Sequence, residues 1–100
     1  MIYLTQLVYI HEGEEETFHA FEMKALPIIE RYNGKLLLRI RPDKSSVIEK
    51  NIDSPYEIHL VQFQSEDDFV QFTQDGERKA FLHLKEKSVK SVWLMKGEKL

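Results

Sequence analysis

The 100-residue sequence contains no cysteine, only three prolines and four glycines, and no long apolar run. The absence of cysteine excludes disulfides and thiolate chemistry, and it favours a cytoplasmic location. A membrane span needs about 20 consecutive apolar residues, which the sequence does not offer. The N-terminus does not resemble a signal peptide either. We therefore expect a soluble cytoplasmic protein without a membrane partner.

An excess of positive charge is also absent, since 14 Lys and Arg stand against 17 Asp and Glu, for a net charge of -3. Nucleic-acid binding relies on a concentrated positive field, so we expect no nucleic-acid partner. With 42% hydrophobic and 31% charged residues, the sequence is typical of one globular domain, spanning residues 1–100. A domain of this size can form a core and still leave one face of a sheet uncovered.

A strand, a helix and a second strand follow one another twice along the chain. Strands are predicted for Ile2 to Ile10, Lys35 to Arg41, Tyr56 to Gln64 and Val89 to Met95, with an amphipathic helical segment after the first and the third. This order predicts an α+β fold of the ferredoxin-like βαββαβ type. Its four-stranded antiparallel sheet carries the helices on one face.

The first helix is predicted to begin near Glu14 and to bury a stripe of residues spaced three and four apart: Phe18, Phe21, Ala25, Ile28, Ile29 and Tyr32. Pro27 lies within that stripe and should bend the helix, because proline has no N–H to donate. The pair Asn33 and Gly34 is suited to a left-handed cap at the end of the helix.

Two segments are candidates for movement near a ligand. Asp75 and Gly76 interrupt the second helix, which begins after Ser65, and should break it in two. The second piece, Glu77 to Lys87, is predicted to face the core with Ala80, Phe81 and Leu84. The break is either a hinge that lets this piece shift over a ligand or a rigid corner fixed by Phe72 and Phe81. The connection from Pro42 to Pro55 is long for a hairpin loop, which suggests either a mobile, ligand-covering segment or a plain solvated connection.

Alternation along the strands predicts that the even positions pack under the helices and that the odd positions line the other face of the sheet. That face would collect Tyr3, Thr5, Leu7, Tyr9, Leu37, Arg39, His59, Val61, Phe63, Trp93 and Met95. An exposed patch of this composition usually marks an interface or a ligand groove. We expect a homodimer in which a second copy covers this face.

Two segments carry a resemblance to known proteins. The sequence from Pro27 to Arg39 and that from Val61 to Ser65, in this order of elements, resemble the dimeric α+β barrel superfamily of ferredoxin-like domains. Its members include antibiotic-biosynthesis-monooxygenase-like proteins, muconolactone isomerases and uncharacterised bacterial families. The resemblance spans nearly the whole chain. It implies two sheets packed face to face and a cleft in each subunit.

The resemblance also implies a function. It suggests a cofactor-independent monooxygenase or isomerase that acts on a small aromatic or polyketide-like molecule. The alternative is a non-catalytic small-molecule-binding or accessory dimerisation domain. Haem-degrading relatives use an asparagine on the first strand with a tryptophan and a helix histidine. Here Gln6 occupies the first strand, Trp93 is on the last strand instead, and only His83 is on a late helix. We therefore expect neither haem nor another cofactor.

The candidate catalytic residues are His59 and Arg39. Histidine transfers protons near neutral pH, and arginine can hold a carboxylate or an oxyanion. Candidate substrate-binding residues, supplying aromatic walls on the same face, are Tyr3, Tyr9, Phe63 and Trp93. The alternative is that all of these are polar and aromatic members of a dimer interface.

Two further patterns in the sequence are typical of binding sites. Glu16, His19 and Glu22 stand three apart along the first helix, but a metal site needs ligands from another element, so we expect a solvated helix face and no metal. Aromatic residues on ferredoxin-like strands also suggest an RNA-recognition module. The third strand lacks the basic, glycine-containing motif of that module, and the acidic balance opposes it.

Overall fold

The computed structural model describes residues 1–100 and contains one four-stranded antiparallel sheet. Its strands are β1 (Ile2–Ile10), β2 (Gly34–Ile40), β3 (Glu57–Phe63) and β4 (Val89–Gly97), in the spatial order β2-β3-β1-β4. The helices are α1 (Glu15–Ala25), a 3₁₀ helix (Leu26–Tyr32), α2 (Glu66–Thr73), α3 (Gly76–Ala80) and α4 (Leu82–Ser88), and a single 3₁₀ turn (Lys44–Ser46) lies in the connection between β2 and β3. This is the predicted ferredoxin-like architecture. No helix has the length and apolar character that crossing a membrane requires.

The first helical segment forms where the stripe predicts it. Phe18, Phe21 and Ala25 are buried on α1, and the stripe continues along the 3₁₀ helix. The α-helical hydrogen bonding stops at Ala25, two residues before Pro27, because proline cannot donate and disfavours helix in the residue before it. Asn33 then adopts a left-handed conformation with φ 58°, which confirms the predicted cap.

Gly34 allows the 3₁₀ helix to pack tightly on β3. A Cβ atom at this position would lie 2.6 Å from Ile29 Cγ2 and 2.6 Å from Phe63 Cε1. Both neighbours are buried, so neither can move away freely. Only glycine fits at this position, because any side chain would clash with Ile29 and Phe63.

The second helical region is broken at the predicted place and again further on. Asp75 caps α3 by accepting a hydrogen bond of 2.8 Å from the Arg78 amide, which confirms the break after α2. A second break lies at Phe81, with φ -107° and ψ 5°, because a ψ near zero interrupts the helical hydrogen bonding. The segment from Glu77 to Lys87 is therefore two helices, and Ala80 is exposed instead of facing the core.

The register between strands reverses the predicted face of β3. Gln6 pairs with His59 and Leu4 with Val61, and directly paired residues share one face of the sheet. The odd residues of β3 therefore lie with the even residues of β1, under the helices. The prediction that His59, Val61 and Phe63 line the uncovered face is wrong, since all three are buried on the helix side.

A β-bulge also changes the faces within β2. The register shifts between Leu36 and Leu38, so that Leu36 pairs with Val61 while Arg39 pairs with His59. Leu36 and Arg39 therefore share the helix side although one number is even and the other odd. The predicted position of Arg39 on the uncovered face is wrong for this reason. Of the eleven residues predicted for that face, those that do occupy it are Tyr3, Thr5, Leu7, Tyr9, Leu37, Trp93 and Met95. Leu38, Ile58 and Leu60 join them there, since they are the pairing partners of one another or of β1 residues on that face.

Candidate active site between the sheet and the helices

A cavity of about 350 Å³ lies between the sheet and the helices. Fourteen of its 20 lining residues are hydrophobic, which favours a ligand with a largely apolar body. The polar lining residues are Gln6, Glu22, His59, Thr73, Arg78 and Lys85. Leu94 on the edge strand β4 also lines the cavity and is 50% exposed, so solvent reaches the cavity along that edge.

Glu57 anchors the polar end of the site. Its buried carboxylate accepts hydrogen bonds from Arg39 Nε at 2.8 Å, from Arg41 Nε at 2.9 Å and from His59 Nε2 at 2.8 Å. Burial alone would raise the pKa of Glu57, but the hydrogen bonds from these three side chains outweigh it and lower the pKa to about 2. Glu57 is therefore a carboxylate at neutral pH.

His59 is held by that carboxylate. Because an ionised carboxylate can only accept, His59 Nε2 must be the donor of their hydrogen bond. Burial lowers the pKa of His59 more strongly than Glu57 raises it, and the charge of Arg39 adds to the lowering. His59 is thus a neutral imidazole at pH 7, with the lone pair on Nδ1 available to accept a proton.

Glu22 supplies a second titratable group from α1. Its Oε2 lies 4.0 Å from His59 Nε2, and the side chain is buried. Burial raises the pKa of Glu22 to about 7, although the positive charge of Arg39 acts in the opposite direction. Glu22 can therefore both give and take a proton at neutral pH.

Two cations from different helices complete the lining. Arg78 on α3 and Lys85 on α4 both line the cavity, and burial lowers the pKa of each. The Arg78 guanidinium carbon lies 5.0 Å from the centre of the Phe72 ring. Its NH1 group donates to Thr73 O at 3.3 Å, whereas its buried Nε has no hydrogen-bond partner.

The structure brings together only part of the predicted site. His59 and Phe63 line the cavity. Arg39 lies beside them but donates to Glu57 through Nε and NH2 and does not line the cavity. Tyr3, Tyr9 and Trp93 lie on the opposite face of the sheet. The prediction of one shared face for all six residues is therefore wrong, because it assumed that odd-numbered residues lie on the same face of the sheet in every strand.

The sequence analysis did not find Glu57, Arg78 and Lys85, and it assigned Glu22 to a solvated helix face. Glu22 follows Phe18 by four residues and so falls on the buried stripe of α1, which was a detectable signal. Glu57 is a charged residue at the start of an otherwise apolar strand, which was a weaker one. The two cations gave no signal, because the break at Phe81 decides how their helices are placed.

Glu16 and His19 lie outside the cavity, but Glu22 is buried, so the prediction of a solvated helix face is wrong for Glu22. His19 Nε2 is 2.6 Å from Tyr56 OH, whereas Glu22 lines the cavity. No group of three His, Cys, Asp or Glu residues has the geometry to hold a metal ion. The segment 42–55 contributes no residue to the cavity lining, and its Ile48 is fully exposed.

Comparisons with known proteins yield likenesses of structure alone. No family model matches the sequence, and no match is found among curated proteins. A protein of unknown function from Rhodopseudomonas palustris, RPA0582, aligns with a TM-score of 0.82 at 17% identity, over 99% of this chain and 82% of that one.

Two further structures are similar. A dimeric protein of unknown function and ferredoxin-like fold from Bacteroides fragilis aligns with a TM-score of 0.73 at 10% identity, over 98% of this chain and 95% of that one. An uncharacterized NIPSNAP domain protein from Burkholderia xenovorans aligns with a TM-score of 0.71 at 11% identity, over 100% of this chain and 95% of that one. The chain thus has the ferredoxin-like fold, as its sequence predicted.

Proposed function

We propose that the protein catalyses acid–base chemistry on a small aromatic or polyketide-like molecule, in the manner of a cofactor-independent isomerase or monooxygenase. The observation that carries the proposal is the neutral His59 imidazole in the wall of an apolar cavity, held by the Glu57 carboxylate at 2.8 Å. A histidine oriented by a carboxylate is a common general base.

In this proposal His59 Nδ1 takes a proton from a carbon next to a substrate carbonyl. The C–H bond breaks, its electron pair forms an enolate, and Glu57 stabilises the imidazolium that results. Return of the proton to another carbon completes an isomerisation. Deprotonation is the first step of both reaction types. Arg39 acts as a positioning residue here, because its donors are used in holding Glu57.

Deuterium exchange tests the proposal directly. The protein is incubated in deuterated buffer with 4-phenylbutan-2-one, and deuterium incorporation next to the carbonyl is followed by NMR. We expect acceleration by the wild type, a loss of about 100-fold or more in His59→Gln, and no change in His83→Gln, an exposed histidine on α4. Exchange in His59→Gln at the wild-type rate would refute the catalytic role.

The alternative function is non-catalytic binding of a small molecule in the same cavity. It predicts that 4-phenylbutan-2-one binds without any acceleration of exchange. Replacement of His59 would then change affinity alone. The same NMR experiment therefore separates the two functions.

We also propose that the uncovered sheet face pairs with a second copy in a homodimer. Leu37, Trp93 and Met95 on this face are 38%, 51% and 44% exposed. A groove along it is lined by Tyr3 and Thr5 together with Leu37 and Met95. Aromatic and aliphatic side chains of this kind are typical of the centre of an isologous interface.

A further inference from the structure

We propose that the cavity binds an organic anion with an apolar body, whose negatively charged oxygen is held by Arg78 with the help of Lys85. This inference rests on the proposed function, because it concerns the ligand of the same cavity. It identifies the substrate class as apolar weak acids: carboxylates, phenolates or enolates.

Arg78 is partly buried and has few protein acceptors for its donors. A guanidinium carries five N–H donors, and the only hydrogen bond from this side chain is the one of 3.3 Å to Thr73 O. Its Nε is buried without a partner. NH2 and the second NH1 hydrogen have no protein acceptor, and a ligand oxyanion in the cavity would accept charge-assisted hydrogen bonds from them.

The rest of the lining matches the other half of such a ligand. Phe18, Phe21, Phe63, Phe69 and Phe72 all line the cavity. Its volume of about 350 Å³ is at the small end of the usual range for ligand pockets. A one- or two-ring apolar body therefore suits it better than a highly polar metabolite does.

Glu22 couples this binding to pH. The charged and titratable groups that influence it come from four elements: Arg39 on β2, Glu57 and His59 on β3, Arg78 on α3 and Lys85 on α4. Glu22 is the only acidic residue in the lining. A bound anion would repel its carboxylate, so binding should be accompanied by uptake of a proton at Glu22.

The test compares two probes of the same shape by isothermal titration calorimetry, naphthalene-1-acetate and the neutral naphthalene-1-acetamide. We expect the wild type to bind the acetate about tenfold more tightly than the amide, since hydrogen bonds to charged groups are the stronger ones. Arg78→Gln should abolish that preference. Lys79→Gln, which removes a charge from an exposed neighbour on the same helix, should retain it.

Two further variants make the test robust. Lys85→Gln, on a different helix, should also reduce the preference, and it serves as the test if Arg78→Gln does not fold. Titrations in two buffers of different ionisation enthalpy should reveal proton uptake with the acetate near pH 7, and Glu22→Gln should remove it.

Three results would contradict the inference without bearing on the catalytic proposal. Equal affinity for the two probes, a preference that survives Arg78→Gln, or no binding of the acetate would overturn this inference. None of these results touches the role of His59, which fails only if deuterium exchange is absent or persists in His59→Gln.

Discussion

His59 Nε2 donates a hydrogen bond of 2.8 Å to Glu57 Oε1, two residues earlier on the same face of β3. The pair determines which ring nitrogen carries the proton. Two arginines hold the carboxylate in its ionised form, and the ionised form can only accept. The protonation of the imidazole in the cavity wall therefore depends on an ion cluster at the start of one strand.

The first prediction concerns the protonation of His59. We expect a neutral imidazole with the proton on Nε2 at pH 7, and a pKa below the ordinary value of 6.5, because burial disfavours the charged form. A pH titration of the ring nitrogens by long-range ¹H–¹⁵N NMR measures both properties. A proton on Nδ1, or a pKa above 6.5, would contradict the arrangement described here.

The second prediction concerns the Glu57 cluster. Glu57→Gln should lower the free energy of unfolding by about 3 kcal/mol, because Arg39 and Arg41 lose the charge that compensates them. The loss should fall at the low end for buried pairs, since these arginine side chains are 32% and 48% exposed.

Urea denaturation at pH 7 measures that loss, and Glu66→Gln is the matched control. Glu66 pairs with Lys96 at 2.5 Å, but both side chains are more than half exposed. Removing this surface pair should cost less than about 1 kcal/mol. Equal losses in the two variants would show that burial does not strengthen the Glu57 cluster.

The third prediction is that Glu57 makes the protein less stable at low pH and that Glu22 makes it less stable at high pH. The pKa of Glu57 is lowered to about 2 from an ordinary 4.5, so its contribution to stability is full above pH 4.5 and is lost as the pH falls towards 2. The pKa of Glu22 is raised to about 7, so its contribution is full below pH 4.5 and is lost as the pH rises through 7.

A variant at Glu22 separates its effect on stability from that of Glu57. Glu22→Gln should raise the free energy of unfolding at pH 8 by about 2 kcal/mol, because it removes a buried carboxylate that must otherwise ionise. Urea denaturation across the pH range measures the profile. The lowered pKa of His59 raises stability with increasing pH over the same range, so the effect of Glu22 is read from the difference between the two profiles. A Glu22→Gln profile that runs parallel to the wild-type profile between pH 5 and pH 8 would mean that Glu22 is solvated in solution.

The fourth prediction tests the close approach at Gly34. Gly34→Ala should lower the free energy of unfolding by about 2 kcal/mol, because the added methyl meets Ile29 and Phe63 at 2.6 Å. Gly97→Ala on β4 is the control, since no atom lies within 4 Å of its Cβ position. Thermal melts followed by circular dichroism compare the two. A Gly34→Ala protein as stable as the control would contradict the packing.

The fifth prediction tests the proposed dimer. Leu37→Asp should dissociate or unfold the protein, because an interface at this position would bury a charge without a partner. Val70→Asp, at an exposed apolar residue of α2, should leave assembly unchanged. Light scattering after size-exclusion chromatography measures the mass. A wild type that is a folded monomer at micromolar concentration would refute the proposed dimer.

Local chemistry was sufficient to predict the elements and several of their ends. The spacing of Phe18, Phe21 and Ala25 predicted the buried face of α1, and Asn33 and Asp75 predicted where helical segments end and begin. These features depend on residues a few positions apart in the chain, so the sequence determines them by itself.

The faces of the strands and the composition of the site were decided only by the tertiary structure. Whether His59 lies under the helices depends on its pairing with Gln6, 53 positions away in the chain, and the face of Arg39 depends on a bulge in β2. A shift of one residue in register moves every side chain of a strand to the opposite face. Such a shift leaves the local pattern of the strand unchanged, which is why the sequence predicted the fold but placed His59 and Arg39 on the wrong face.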